Sequence, residues 1–171
     1  MVKQASGSIE QRGLHAAALG IGIRAAAAAD AATLARLLAP PRERSARALP
    51  PTAVDIELLL QSESGGMLVF EVVGTIAGAI GYTLDGDAFR LFNLCVDDAS
   101  PRVAVESVAG QLVAAAEEIG RKTGASLITA QAGRGTTEFD AFAAAGYVVD
   151  YEEMEPAGEG LVAVADFIKL L

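Results

Sequence analysis

The stretch LFNLCVDDASPRVAVESVAG, residues 91–110, gathers most of the side chains that could do chemistry. It holds the chain's single cysteine, Cys95, the adjacent carboxylates Asp97 and Asp98, a cation, Arg102, and a hydroxyl, Ser107. Ser100-Pro101 reads as an N-cap with proline at the first helical position, so a helix is expected from 101 to 123. A helix start offers free N–H groups to an anion. Asp97 and Asp98 would sit over this one; they favour a helix N-terminus themselves and would repel a phosphate. A cysteine nucleophile needs a base beside it, and the lone His15 is remote in sequence. A buried, inert thiol is the expectation for Cys95.

Other reactive side chains have simpler readings. Asp85 and Asp87 flank Gly86, and turn chemistry accounts for them. Arg42, Arg44 and Arg47 lie between two proline pairs, where a solvated loop is the expectation. Tyr147 and Tyr151 carry hydroxyls. No cluster has metal-ligand spacing, and there is no phosphate-loop or dinucleotide glycine pattern.

The chain has 171 residues, enough for one domain with a sizeable core. Its mean hydropathy is +0.38 and 52% of its residues are apolar, which argues against disorder. Alanine and glycine supply much of that fraction. No run approaches the roughly 20 apolar residues of a membrane span, and LHAAALGIGI (14–23) is broken by two glycines. No signal peptide is read at the N-terminus. One cysteine excludes an intramolecular disulfide and suits a reducing, cytoplasmic setting. Residues 1–53 carry a net charge of +4 and residues 54–171 one of −13. An acidic body disfavours nucleic acid and anionic membranes and suits an amine ligand, although acidic surfaces also serve solubility alone.

The elements that must position these groups follow from periodicity. Residues 1–19 are expected to form an N-terminal arm and 20–171 the folded domain. GIGIR (20–24) reads as a strand. Asp30 is expected to cap a helix whose Leu34, Leu37 and Leu38 share one face, and Pro40-Pro41 stop it. TAVDIELLLQS (52–62) reads as a second helix. Residues 69–73, 76–84 and 89–96 read as three strands joined by tight turns, hence an antiparallel meander. Val105, Val108, Leu112, Ala116 and Ile119 mark one buried face of the helix that follows. SLITAQ is a strand, Thr136 opens a short helix ending at Gly146, and YVVDYEEME and LVAVADFIKLL are two final strands. A meander followed by β-α-β units predicts an α/β domain with a mixed sheet and helices on both faces. An exposed edge near the C-terminal strand would allow two copies to pair as a homodimer.

That order resembles the GNAT superfamily of acetyl-CoA-dependent N-acetyltransferases over residues 20–171. LFNLCVDD before a long helix and FDAFAAAGY (139–147) carry the resemblance. It implies that the backbone around Leu94, Cys95 and Val96 holds the pantetheine arm of acetyl-CoA. The family's diphosphate pattern falls on Ala104–Ala109, where Ala109 matches, Ser107 replaces a glycine and Ala104 replaces Gln or Arg. Arg102 is left as a displaced phosphate ligand. Phe142 occupies the position of the tyrosine that protonates the leaving thiolate. Gly135 stands for an asparagine, and Ala130, beside Gln131, for a glutamate base. Tyr147 stands where the family has a core phenylalanine. The resemblance implies acetyl transfer to a small-molecule or peptide amine, with no metal. The departures leave a second reading open, a GNAT-fold binding or regulatory module that does not use CoA.

Overall fold

A computed structural model describes residues 20–39, 50–97, 104–157 and 160–171. The elements run β1 (Ile21–Ala25), a 3-10 turn (Ala28–Asp30), α1 (Ala31–Leu38), α2 (Ala53–Leu60), β2 (Gly65–Val72), β3 (Thr75–Asp85), β4 (Ala88–Val96), α3 (Val105–Lys122), β5 (Leu127–Gly133), α4 (Thr137–Ala144), β6 (Val148–Ala157) and β7 (Gly160–Leu170). The order of strands and helices is the expected one. Residues 1–19, His15 and the Arg42–Arg47 loop lie outside the described residues.

Seven strands form one sheet in the order β1-β2-β3-β4-β5-β7-β6. β1 to β4 are antiparallel, β4 and β5 are parallel, and β5, β7 and β6 are again antiparallel. The meander and the mixed sheet are therefore as the sequence predicted. Alternation along β2 explains the two layers. Leu68 and Phe70 point to one core with Val108, Leu112 and Ala116 of α3 and Phe142 of α4. Met67 and Val69 point the other way, onto Leu34 of α1 and Ile56 of α2. The anticipated α3 face is buried, with Val108, Leu112 and Ala116 fully enclosed.

One local expectation here needs correction. Asp30 does not cap α1: its backbone is already helical and its side chain makes no cap bond there. Its carboxylate instead accepts from the Ala27 N–H at 2.8 Å and from Arg24 at 2.7 and 3.1 Å, closing the turn before the helix. The preceding 3-10 turn supplies the helix entry, so the capping oxygen is released for Arg24. α2 does have a side-chain cap, a reciprocal pair in which Thr52 Oγ1 accepts from Asp55 N–H and Asp55 Oδ2 accepts from Thr52 N–H.

The sheet edge expected near the C-terminal strand is its neighbour β6. β7 itself is internal, paired on both sides, and β6 is the edge strand at that end of the sheet. β6 carries Pro156, a register shift between Val149 and Tyr151, and four carboxylates at 150, 152, 153 and 155. These are features that blunt strand-to-strand association.

Candidate functional site

The site is built by two strands that part. β4 and β5 pair in parallel from Ala88–Leu127 to Leu91–Ala130. Beyond that point β4 continues to Val96 against β3, and β5 continues to Gly133 against β7. Residues 92–96 and 131–133 therefore face each other across a gap without strand pairing. A gap at the carboxyl ends of parallel strands is where open α/β sheets receive ligands.

A bulge in β4 bends the strand at this point. Ala79 faces Cys95 and Gly81 faces Phe92, so two residues of β4, Asn93 and Leu94, oppose Ile80 alone. Asn93 takes up the extra length with φ of +52°, a left-handed conformation that asparagine tolerates better than most residues. Gly78 lies just beyond. A Cβ there would stand 2.9 Å from Val108 of α3 and 3.1 Å from the Cys95 carbonyl, so glycine permits α3 to seat against the floor of the cleft.

The cleft, about 90 Å³, is lined by Leu94, Cys95 and Val96 of β4, Val105 and Ala109 of α3, and Thr137 and Glu138 of α4. The fold thus brings together Leu94, Cys95, Val96 and Ala109, four of the residues singled out in the sequence. Ser107 is not on that lining. Its N–H bonds back to the Ala104 carbonyl at 3.0 Å, and its hydroxyl accepts from Gln111 at 3.1 Å. Arg102, Asp98 and Ser100-Pro101 lie outside the described residues. Val105 lies inside the Ala104–Ala109 pattern and on the expected helix face, whereas Thr137 and Glu138 are not among the expected site residues. Their signal was present, since each opens a helix beside a strand that ends at the gap.

The start of α3 differs from the expected one at Pro101. The helix begins at Val105, after Ala104 in an extended conformation (φ −69°, ψ 119°), with no side-chain cap. The run of apolar positions that begins at Val105, and not the Ser-Pro pair, decides where the helix locks onto the sheet. Glu106 occupies its first turn. α4 is capped by Thr136, which accepts from the Phe139 N–H at 3.2 Å, and it carries Glu138 and Asp140 in its first turn. Asp97 continues the β3–β4 ladder through its N–H to Ala77.

Cys95 is half-buried, and its thiol donates to the Leu37 carbonyl of α1 at 3.4 Å. Phe142 is wholly buried, with its ring packed edge-on to Tyr147 and tilted against Phe167. Tyr147 is buried as well, and among the described residues its hydroxyl makes no well-formed hydrogen bond, although the Glu117 carboxylate stands beside it. Burial first, and the nearby Glu117 charge second, push its phenol well above the ordinary range. Ala130 is buried, Gln131 donates to Asp166 at 3.1 Å, and Gly135 sits in the turn before α4 with φ of +80°.

A groove of about 430 Å³ runs on between α3 and α4 and shares Thr137 with the cleft. Small residues, Gly110, Ala114, Ala141, Ala144 and Ala145, form its walls. Glu106 and Asp140 also line it, and Glu117 and Lys169 lie at its far end. Lys169 donates to Glu117 at 2.8 Å and to the Ala145 carbonyl at 2.7 Å. Among the described residues no group of three His, Cys, Asp or Glu side chains could hold a metal. No helix there is long and apolar enough to cross a membrane.

No family model matches the chain, and no curated protein matches it significantly. Solved structures do. A GNAT-family acetyltransferase from Streptococcus pneumoniae is 20% identical, with a TM-score of 0.71 over 88% of this chain and 99% of its own. The ribosomal-protein-S18-alanine N-acetyltransferase of Escherichia coli is 14% identical, with a TM-score of 0.71 over 88% and 93%. A Salmonella typhimurium protein solved with acetyl-CoA is 14% identical, with a TM-score of 0.72 over 89% and 94%. The chain has the GNAT fold.

Proposed function

We propose that this chain is an N-acyltransferase that moves an acetyl group from a thioester such as acetyl-CoA to an amine. The observation that carries the reading is the parting of β4 and β5 after Leu91 and Ala130, with two helix starts at the mouth of the gap. An extended arm placed there would lie against residues 92–96, whose backbone has no β5 strand beside it. The walls offered by Leu94, Val96, Val105 and Ala109 suit the methylene and amide units of a pantetheine arm.

A bound thioester supplies an electrophilic carbonyl; the chain supplies position. The amine nitrogen forms the C–N bond, the C–S bond breaks, and the proton lost by nitrogen ends on the departing sulfur. Phe142 has no proton to give, and Tyr147 keeps its own in the core. The reaction therefore rests on alignment of a neutral amine with the thioester, which can lower a barrier by several kcal/mol without a strong base. An amine acceptor is supported by the acidic body and by Asp166, held by Gln131 on the sheet face opposite α3 and α4.

The test is incubation with an acetyl thioester and a panel of primary amines and short peptides, with products read by mass spectrometry. An N-acetylated product above the uncatalysed level is the expected result. No product, together with no thermal stabilisation by any thioester, would overturn the proposal. A ligand at about 100 times its dissociation constant should add about 2.7 kcal/mol.

A further inference from the structure

The gap between β4 and β5 has two faces, and the cleft uses one of them. Leu94, Val105, Ala109, Thr137 and Glu138 line it from the side of α3 and α4. A thioester arm seated there leaves the other sheet face to the attacking nitrogen. Cys95 opposes Ala79, which packs under α1 and α2 on that other face. Its thiol donates to the Leu37 carbonyl at 3.4 Å, so the last turn of α1 stands over β4 beside the gap. Carbonyls at a helix C-terminus favour positive charge. On the far side of the gap a row of side chains faces the same way.

The row is Gln131, Asp166 and Tyr151. Gln131 lies between Ala130 and Ala132, which both face the core under α3 and α4, so it faces away from them. It is the first β5 residue beyond the last pair with β4. Asp166 of β7 is its cross-strand partner, and Gln131 Nε2 donates to Asp166 Oδ1 at 3.1 Å. Tyr151 of β6 is the partner of Asp166 on the other side, and it is 57% exposed. A bulge puts it there. Val149 faces Phe167 and Tyr151 faces Asp166, so Asp150 is the extra residue. Regular pairing would set Asp150 opposite Asp166, carboxylate against carboxylate. The bulge replaces that repulsion with an aromatic ring beside the anion, a combination that holds an ammonium.

Asp166 is badly placed to serve the reacting nitrogen and well placed for a second one. An amine attacks only in its neutral form, and a carboxylate against it would keep it protonated. Asp166 stands one strand back from the gap, behind β5, and neighbouring strands are about 4.8 Å apart. We infer that the acceptor is a short diamine, whose far ammonium is held by Asp166 and Tyr151 while its near nitrogen attacks the thioester over Gln131. This rests on the acyl-transfer reading, and it gives Asp166 a part in acceptor specificity rather than in proton transfer. The near nitrogen loses a proton to solvent before it attacks. It then bonds to the acyl carbon, the C–S bond breaks, and the proton it sheds ends on the departing thiol. The far ammonium keeps its charge throughout.

Titration of the full chain with putrescine and with butylamine, in the absence of any thioester, tests this through the side-chain amide signals of Gln131 in the NMR spectrum. Putrescine should move those signals and bind about tenfold tighter than butylamine, the worth of one charge-assisted contact. NaCl should weaken its binding. Asp166→Asn should bring the two amines to within about threefold of each other, and Tyr151→Leu should weaken putrescine about threefold. In acetyl transfer the same preference should appear in KM and not in kcat. Equal or undetectable binding of the two amines, or a preference that survives Asp166→Asn, would overturn the inference while leaving acyl transfer intact. A preference for putrescine with no N-acetylated product from any amine would overturn the acyl-transfer reading and, with it, the acceptor role of this row.

Discussion

Lys169 Nζ donates to Glu117 Oε1 across 2.8 Å and so ties the last strand to the middle of α3. The same carboxylate accepts from Arg121 at 2.9 Å, and the same ammonium reaches the Ala145 carbonyl at the end of α4. One part-buried pair therefore fixes three elements that border the groove. Each member is satisfied by the other, so the pair is costly to break from one side.

Lys169→Met should destabilise the chain by roughly 1–3 kcal/mol, because Glu117 would stay buried with Arg121 alone. Tyr147→Phe should do the opposite or nothing. It removes a buried hydroxyl that stands beside Glu117 without a well-formed hydrogen bond, and the expected change is between zero and about 1 kcal/mol of stabilisation. Urea unfolding of both variants checks the contrast. A Tyr147→Phe variant as damaged as Lys169→Met would mean that the hydroxyl is bonded after all.

Gly78→Ala should cost about 1–3 kcal/mol, since its methyl would meet Val108, Leu112 and the Cys95 carbonyl at 2.9–3.2 Å. Gly110→Ala, in the exposed middle of α3 with nothing within 4 Å, should stabilise by about 0.5–1 kcal/mol. Thermal unfolding separates the two signs. Equal effects would refute the seating of α3 on Gly78.

Asn93→Gly should be nearly neutral, because glycine accepts a φ of +52°. Asn93→Val should cost about 1–2 kcal/mol and weaken pantetheine binding, since a β-branched residue resists the left-handed region and would press the bulge to flatten. Loss of stability without loss of binding would separate the bulge from the cleft.

Acid should selectively weaken the N-terminal turn. Arg24 holds the Asp30 carboxyl below its ordinary value of 3.8, with the Ala27 N–H helping. A depressed carboxyl stabilises the fold above its unfolded value, and that contribution is lost as pH falls through the folded one. Asp30→Asn should therefore be less stable than the parent at pH 7, and the gap should close below pH 3.8. A gap constant from pH 7 to pH 3 would show that the charge of Asp30 does not matter.

The order of elements was legible because its signals are local. Alternation marked the strands, the spacing from Val105 to Ile119 marked α3, and Thr136 and Gly146 marked the ends of the short helix. Each depends on residues within about one turn or one hairpin of each other. The same locality misled at two points. Ser100-Pro101 has the chemistry of a helix start, yet α3 begins at Val105, where apolar side chains first meet the sheet. Asp30 has the chemistry of a cap, yet Arg24, in a strand, claims it.

The sequence by itself determined a meander, two β-α units and a body rich in carboxylates. It also determined that Phe142 and Ala130 bring no acid or base. Only the tertiary structure decided where β4 and β5 part, that Asn93 absorbs a bulge opposite Ile80, and that Thr137 and Glu138 join Leu94 and Val96 in one cleft. Only it decided that Lys169 is spent on Glu117, 52 residues away. The reason is physical. Propensity and patterning act between neighbours in the chain. Strand divergence and ion pairing across the sheet are set by how distant layers pack, and no short stretch of sequence contains both partners.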